Sequence, residues 1–443
     1  MKRLIVLGLL VAASQSYATD LSTVYQTAVT GSPILRSDQA TQNVASASAD
    51  INRGSLLPQA SLNAGVAAYD NDVQSQTYSA SVSQILFDVN TWETWRSAKQ
   101  TAAAAAATYQ YQQQQFIIEV ANAYFAVLQA NDGVSFAKAQ LASDQSLLKQ
   151  TQEKYAVGLS TVADVKQAQA DYDQARATLI SNEAAVQTAI ESLTAYTGQR
   201  YTDLAPLRAN LPFAMPEPQD MDFWVGVARA HNFNLQSAHL TTVSDQQNVI
   251  AQAGSMIPSI SLSASYTRNQ YNGDTNDIAA DGFGANSTDR AIAITATWDL
   301  FATPALTAAV GATQGGNTAL IPSALQAQYN YEAQQATEDN TLRQLVADVR
   351  QDYLNLMADV RSVAAYKQSV ISSQASLEQY QAQYRVGTQT ITAVLQQAQD
   401  LYQAKQNYSQ AQYQYLTDLL QLKWDSGTLS GADIQQLNGW LQG

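Results

Sequence analysis

The 443-residue sequence contains no cysteine and only two histidines, His231 and His239. The absence of cysteine excludes a disulfide framework, thiolate chemistry and the acylated cysteine of a lipoprotein. The two histidines are separated by an interval that matches none of the usual helical ligand spacings, and no cluster of other metal ligands surrounds them. We therefore predict that the protein holds neither a metal ion nor a cofactor.

Groups that could carry out catalysis are equally scarce. A nucleophile and its base require histidine, cysteine or paired carboxylates that converge in one pocket. The sequence shows no such grouping. We predict that the protein is not an enzyme.

Basic residues are few. The chain has 23 lysines and arginines against 37 aspartates and glutamates, a net charge of −14 at pH 7. Such a surface repels phosphate backbones and anionic lipid headgroups. Nucleic acid is therefore not a predicted partner.

A long apolar run is absent after the N-terminus. Lys2 and Arg3 precede a short apolar stretch, residues 4–13, and Ser16-Tyr17-Ala18 follows with small residues at a cleavage position. This pattern predicts a secretory signal peptide over residues 1–18, the alternative being a buried N-terminal helix. No later stretch reaches the roughly 18 apolar residues of a transmembrane helix. An exported chain of this kind is periplasmic, secreted or a β-barrel.

The rest of the sequence contains one unit twice. Three motifs recur in the same order: Leu57-Pro58-Gln59 as Ile257-Pro258-Ser259, Leu86-Phe87-Asp88 as Leu300-Phe301-Ala302, and Tyr155-Ala156-Val157-Gly158 as Tyr384-Arg385-Val386-Gly387. The interval between copies grows across a Gly/Asp/Asn-rich segment, 272–290, as expected if one copy gained loop residues. We predict repeats over 19–200 and 223–427, joined by a linker, 201–222, and followed by a C-terminal segment, 428–443. The linker and the C-terminal segment are predicted to wrap the middle of the helical part.

Apolar residues stand at every seventh position within each repeat. The first series is Val120, Val127, Val134, Leu141, Leu148 and Tyr155, and the second is Val349, Leu356, Val363, Val370, Leu377 and Tyr384. A heptad stripe predicts helices that coil around one another. Helices from about residue 91 to 155 and from about 323 to 384 would each be roughly 95 Å long.

Each long helix is followed by the signals of a tight turn. Gly158 and Gly387 can adopt the left-handed conformation that ends a helix. Thr161 and Thr390 are placed to cap the returning helices, with Asp164 in the first turn of one of them. We therefore predict two helical hairpins with short tips.

Four other segments of about ten residues alternate between apolar and small or polar residues. The positions on the apolar side are Leu62, Ala64, Val66 and Ala68; Ala80, Val82, Gln84 and Leu86, the weakest run because Gln84 is polar; Ile260, Leu262, Ala264 and Tyr266; and Ile292, Ile294, Ala296, Trp298 and Leu300, the most regular run. This pattern is typical of transmembrane β-strands, although a half-buried soluble sheet remains an alternative. Four strands cannot close a barrel, and an open edge in lipid leaves backbone groups unpaired, so several chains would share one barrel.

In the order and duplication of these motifs, the mature chain resembles the TolC-type outer-membrane efflux proteins over its whole length. The resemblance implies an α+β membrane protein in the outer membrane that extends into the periplasm. Three chains would form a trimeric α-barrel of coiled-coil hairpins and share a twelve-stranded β-barrel in lipid. The implied function is a passive exit duct of a tripartite efflux pump or type I secretion system. The implied partners are a periplasmic adaptor (membrane fusion) protein and an inner-membrane RND or ABC transporter.

The same resemblance implies a periplasmic gate at the hairpin tips. Asp164 and Tyr384 match two of the family's gate partners. A third partner, an arginine in the family, is Gln389 here, and an uncharged amide bonds a carboxylate more weakly, so we expect a more loosely tied gate. The family's constricting acidic ring falls on Ala393 and Gln396, which carry no charge and leave a cation-selective entrance in doubt.

Other tip residues have two interpretations each. Asp400, one turn beyond Gln396, either faces the lumen or is a solvated charge, and Asp164 can also act through the helix dipole. The turns Val157-Gly158-Leu159 and Val386-Gly387-Thr388 resemble the tips that receive the adaptor, although helix capping alone would require the glycines.

Two further points stay open in the sequence. The acids Asp70, Asp72, Asp274, Asp277, Asp281 and Asp289 are predicted in strand-connecting loops, where they either bind divalent ions or lipopolysaccharide or are simply solvated. A soluble coiled-coil protein, such as a filament subunit or adhesin stalk, is the alternative to a duct.

Overall fold

The computed structural model describes residues 18–68, 74–208, 211–272, 286–297 and 320–441. The predicted signal peptide therefore lies outside the described residues except for Ala18. The following sequence-predicted residues also lie outside them: Trp298, Leu300, Asp70, Asp72, Asp274, Asp277 and Asp281.

Helices account for most of the described chain. In order they are α1 (Leu21–Gly31), α2 (Pro33–Gly54), α3 (Val89–Ala156), α4 (Val162–Thr197), α5 (Met221–His231), α6 (Phe233–Gly254), α7 (Leu320–Arg385), α8 (Ile391–Asp425) and α9 (Gly431–Asn438). The strands are β1 (Gln59–Ala68), β2 (Gln74–Phe87), β3 (Ser259–Asn272) and β4 (Ser287–Thr297). No helix in the described ranges has the length and apolar character needed to cross a membrane.

The two predicted long helices are confirmed. Helix α3 has 68 residues and α7 has 66, so each is about 100 Å long at the usual rise per residue. Both are followed by returning helices, α4 with 36 residues and α8 with 35. The sequence therefore does build two long hairpins.

The predicted strands form one antiparallel sheet in the order β1-β2-β3-β4. The register sets Leu62 opposite Ala80, Val82 opposite Ala264, and Ala264 opposite Ile292. Because cross-strand neighbours lie on the same side of a sheet, the predicted apolar positions share one face. On the other face Ser61 and Ser81 lie within hydrogen-bond distance through their hydroxyl oxygens, 2.8 Å apart.

Two features of the sheet differ from the sequence prediction. Strands β2 and β3 have 14 residues each, longer than the ten predicted. Asp289 was predicted in a strand-connecting loop, and that prediction is wrong: it lies within β4, opposite Thr267 of β3. Antiparallel pairing with the longer β3 extends β4 over this residue, and Asp289 points to the polar face, where a carboxylate can stay solvated.

The chain divides into two compact units. One contains Met1–Arg36, Gln112–Asn232 and Val346–Gly443, and the other contains Ser37–Tyr111 and Phe233–Leu345. Each unit draws on both predicted repeats, so the repeats are not separate compact bodies. The sheet belongs entirely to the second unit.

The first unit has a core formed by heptad residues of α3 and α7 together with apolar residues of α8. Val120 and Val127 of α3, Val349, Leu356 and Val363 of α7, and Leu401 and Leu422 of α8 are buried. The apolar stripe weakens toward the turn after α3, where Tyr155 is exposed. The apolar seam that the heptad spacing predicts is therefore buried over most of its length.

The predicted linker and C-terminal segment are bonded to each other in the first unit. Leu207 pairs with Leu441, and the Arg208 side chain donates a hydrogen bond to the Leu441 carbonyl. The buried hydroxyl of Tyr124 on α3 donates to the Ala205 carbonyl at 2.9 Å. These bonds hold both segments against the long helices, while the proposed repeat boundaries stay a prediction.

Candidate gate and docking site at the hairpin tips

Both tips are built from the same backbone motif. Gly158 and Gly387 have φ angles of 80° and 82°, a conformation that side chains with a Cβ disfavour. Leu159 N–H donates to the Lys154 carbonyl and Thr388 N–H to the Gln383 carbonyl, at 2.8 and 3.0 Å. These six-to-one bonds are the Schellman motif that ends a helix, so the predicted left-handed turns are confirmed.

The tips expose large apolar side chains. Val157, Leu159 and Val386 are 70%, 77% and 75% exposed. The glycines and backbone bonds account for the turns without these side chains. Capping therefore explains the glycines, and it leaves the exposed apolar residues unexplained.

Asp164 is occupied by the cap of α4. Its Oδ2 accepts hydrogen bonds from Thr161 N at 2.9 Å, Thr161 Oγ1 at 2.8 Å and Ser160 Oγ at 3.0 Å. The backbone bond from Thr161 is the main reason that the pKa of Asp164 lies below its ordinary value. The helix-cap role is confirmed, and the gate role of Asp164 stays a prediction.

Tyr384 lies at the end of α7 and is only 6% exposed. Its hydroxyl is 3.2 Å from Thr151 Oγ1 on α3. Lys154 Nζ, also on α3, donates to the Tyr384 carbonyl at 2.8 Å and lies 3.6 Å from the centre of its ring. The second hairpin is thus bonded to the first through Tyr384, by two residues that the sequence analysis did not single out.

The remaining predicted gate residues lie at and after the second tip. Gln389 and Ala393 are half-buried, and Gln396 and Asp400 are exposed. Gln396 Nε2 donates to Asp400 Oδ1 at 2.9 Å, one helical turn away. Within one chain, the predicted gate residues therefore form separate groups and do not meet at a single point.

The sequence analysis also missed two pairs of aspartates between α7 and α8. Asp352 lies against Asp425 and Asp359 against Asp418, each close enough for a hydrogen bond if one of the two carboxyl groups is protonated. Two carboxyl groups can share a hydrogen bond only if one keeps its proton. Burial, followed by the bond to the partner, raises the pKa of Asp352 to about 9 and that of Asp359 to about 7.

The described residues contain no group of three or more metal-ligating side chains that could hold an ion. The aspartate pairs have two carboxyl groups each, fewer than such a group requires. The tips instead offer turns, exposed apolar side chains and hydrogen bonds between the two hairpins.

Comparisons with known proteins give consistent matches. A family model described as "Outer membrane efflux protein" matches residues 24–199 and 224–427. The chain is 31% identical over 435 residues to the outer membrane protein TolC of Vibrio cholerae serotype O1, covering 97% of this chain and 95% of the relative. It is 24% identical over 368 residues to the alkaline protease secretion protein AprF of Pseudomonas aeruginosa, covering 83% and 72%.

The fold is also found among solved structures. The outer membrane protein VceC from Vibrio cholerae superimposes with a TM-score of 0.76 at 19% identity, covering 92% of this chain and 96% of that chain. The long hairpins and the four-stranded sheet are therefore a known architecture.

Proposed function

The chain belongs to the outer membrane efflux protein family, and on that premise we propose that three copies form one passive duct with a gate at the hairpin tips. It is a transport protein of the outer membrane that extends into the periplasm, and it serves as an exit duct for efflux and secretion. Membership of this family excludes the alternative of a soluble filament subunit or adhesin stalk.

The four-stranded sheet is the main observation that supports a trimer. Its order leaves β1 and β4 as edge strands, each with a row of backbone groups that no described strand pairs. Its apolar face exposes Leu62, Val66, Ile292 and Ile294. Such a sheet is stable in lipid only when its edges are paired, and pairing with the sheets of two further chains closes a barrel of twelve strands.

The gate is proposed at the tips. Asp164, Tyr384 and Gln389 are the residues proposed to hold the hairpins together, and Ala393, Gln396 and Asp400 are proposed to line the narrow end. Support comes from the burial of Tyr384 against α3 and from the exposure of Gln396 and Asp400, which are hydrogen-bonded to each other one turn apart. The duct itself carries out no catalysis in this proposal, and its cargo is whatever the pump supplies.

Adaptor docking is proposed at the two turns. Val157, Gly158 and Leu159 in one hairpin, with Val386, Gly387 and Thr388 in the other, would receive a periplasmic adaptor joined to an inner-membrane RND or ABC transporter. The exposed Val157, Leu159 and Val386 support this, because apolar side chains grouped on a surface are typical of protein contacts.

Replacing Leu159 and Val386 together by serine is expected to reduce export strongly without lowering the amount of the duct in the outer membrane. Burying one such side chain contributes about 1.5–3 kcal/mol, so the double variant should weaken docking by about a hundredfold or more. The measurements are efflux of a fluorescent substrate from whole cells and cross-linking between the tips and the adaptor. Gln152→Ser, which changes an exposed polar residue near the end of α3, is the matched control. Unchanged efflux and cross-linking in the double variant would rule out docking at these side chains.

A further inference from the structure

Three contacts join the ends of α3 and α7, and all three involve Tyr384. Lys154 Nζ lies 3.6 Å from the centre of the tyrosine ring and donates to the tyrosine carbonyl at 2.8 Å, and Thr151 Oγ1 is 3.2 Å from the hydroxyl. Tyr384 is buried although Arg385 and Val386, which follow it, are exposed. The first hairpin therefore holds one residue of the second by its ring, its hydroxyl and its backbone.

Lys154 is the cation in this arrangement, and its position suits a cation for three reasons. The ring face of a tyrosine is electron-rich and attracts an ammonium group. The Tyr384 carbonyl accepts a hydrogen bond from Gly387 N–H at 3.2 Å, and its second lone pair can accept one from an ammonium that also contacts the ring. The C-terminal ends of both α3 and α7 carry partial negative charge, which the ammonium offsets.

No other charged residue is seen bonding to Tyr384. Glu153 and Arg385, the neighbouring charges in sequence, are exposed, and Asp164 is bonded within its own helix cap. Gln389, after the second tip, has no charge to contribute. Among the described residues, Lys154 is therefore the cation that joins the hairpins at this tyrosine.

Solvent can reach this contact. A groove of about 620 Å³ lies beside Tyr384, lined in part by Ser146, Lys149, Gln150 and Gln381. Lys154 itself is only half-buried. An ammonium that is bonded but still accessible can be released and recaptured, whereas a fully buried one would be permanent.

We infer that Lys154 is a latch that holds the second hairpin closed against the first, through the ring and carbonyl of Tyr384. The inference rests on the proposed gated duct and names the residue that sets the balance between its closed and open forms. Lys154 is a positioning residue: it acts on the hairpin and not on the cargo.

The test is single-channel recording of the full-length protein in planar bilayers. Lys154→Met removes the ammonium and keeps an apolar stem, and a cation over an exposed or partly desolvated ring shifts an equilibrium by about 2- to 30-fold. Lys154→Met is expected to raise the open fraction by that factor. Lys154→Arg should stay close to the original protein, because a guanidinium can also stack on the ring and donate to the carbonyl. Lys149→Met, which removes an exposed lysine from the same helix, should leave the open fraction unchanged.

A second variant keeps the test decisive if Lys154→Met does not assemble into channels. Tyr384→Leu removes the ring and hydroxyl while Lys154 remains, and it is expected to open the duct in the same way. An open fraction equal to that of the original protein, in whichever of these two variants assembles, would overturn the latch. So would equal opening in Lys154→Met and Lys154→Arg, because a cation-specific contact must be restored by arginine. Absence of channels in the original protein would instead contradict the proposed duct.

Discussion

The thermal stability of the purified protein is expected to fall as the pH rises from about 5 to about 9. The pairs Asp352–Asp425 and Asp359–Asp418 account for this direction. The pKa values of Asp352 and Asp359 are raised to about 9 and about 7 in the folded chain, from an ordinary value of 3.8. The fold therefore favours the protonated forms. Their stabilisation is complete below the ordinary pKa and is lost as the pH rises through the folded values.

Other carboxylates act in the same direction. Asp348 and Asp418 add to the raised pKa of Asp352 by charge repulsion, after burial and the bond to Asp425. Asp425 itself has a raised pKa, caused mainly by burial. Above the titration range each pair would hold two negative charges in contact, so the interface between α7 and α8 loses stability.

Asp352→Asn and Asp359→Asn test this account directly. Each amide can donate to the partner carboxylate without needing a proton, so both variants should be more stable than the original at about pH 8. The shift at Asp359, about three pKa units, corresponds to about 4 kcal/mol, and the shift at Asp352 is larger. Solvent screening at these half-buried groups reduces the expected gain to about 1–2 kcal/mol per site. The measurement is the unfolding temperature by circular dichroism across the pH range.

Asp173→Asn is the matched control, because Asp173 is exposed on α4 and accepts a bond from Gln169. It should leave the pH dependence unchanged. A stability that does not vary with pH, or a loss of stability in Asp352→Asn at about pH 8, would show that the pairs do not share protons.

The substitution Ile292→Arg is expected to prevent assembly of the protein in the outer membrane. Ile292 is at the centre of β4 on the apolar face of the sheet and is 82% exposed. A charge on the lipid side of a barrel costs about 2–4 kcal/mol near the middle of the bilayer, and a trimer would contain three such charges. The folded complex in the outer-membrane fraction should fall about tenfold or more, as measured by blotting of detergent extracts after membrane separation.

Ala291→Arg provides the control one residue away. Ala291 lies opposite Ser265 on the polar face, so its side chain would meet the water-filled interior of the barrel. This variant should assemble and mainly change ion conductance. Equal amounts of both variants in the membrane would contradict the assignment of the two faces.

The sequence predicted those parts of the fold that depend on local signals. Gly158 and Gly387 favour the left-handed conformation whatever the rest of the fold is. Thr161 and Asp164, three residues apart, form a helix cap without help from distant residues. The alternation around Leu62 and Ile292 predicted the faces of the sheet for the same reason. Strand ends were less predictable, because pairing with β3 determines how far β4 extends and therefore places Asp289 in a strand.

The candidate site was predictable only in part. Lys154 and Thr151 lie three residues apart on one side of α3, so the sequence shows that they can contact the same partner. It does not show which residue that partner is. Their contact with Tyr384 depends on the register between two helices more than 200 residues apart in sequence. The aspartate pairs between α7 and α8 depend on a register of the same kind. Such pairings are set by packing, so a single sequence does not reveal them.

The number of chains in one membrane complex tests the central claim most directly. Four strands with two open edges require the sheets of other chains, and family membership places the protein in the outer membrane. Native mass spectrometry of the protein released from outer membranes by detergent should find three chains in each complex. A monomer that leaves the membrane fraction without detergent would contradict the shared barrel and the duct built on it.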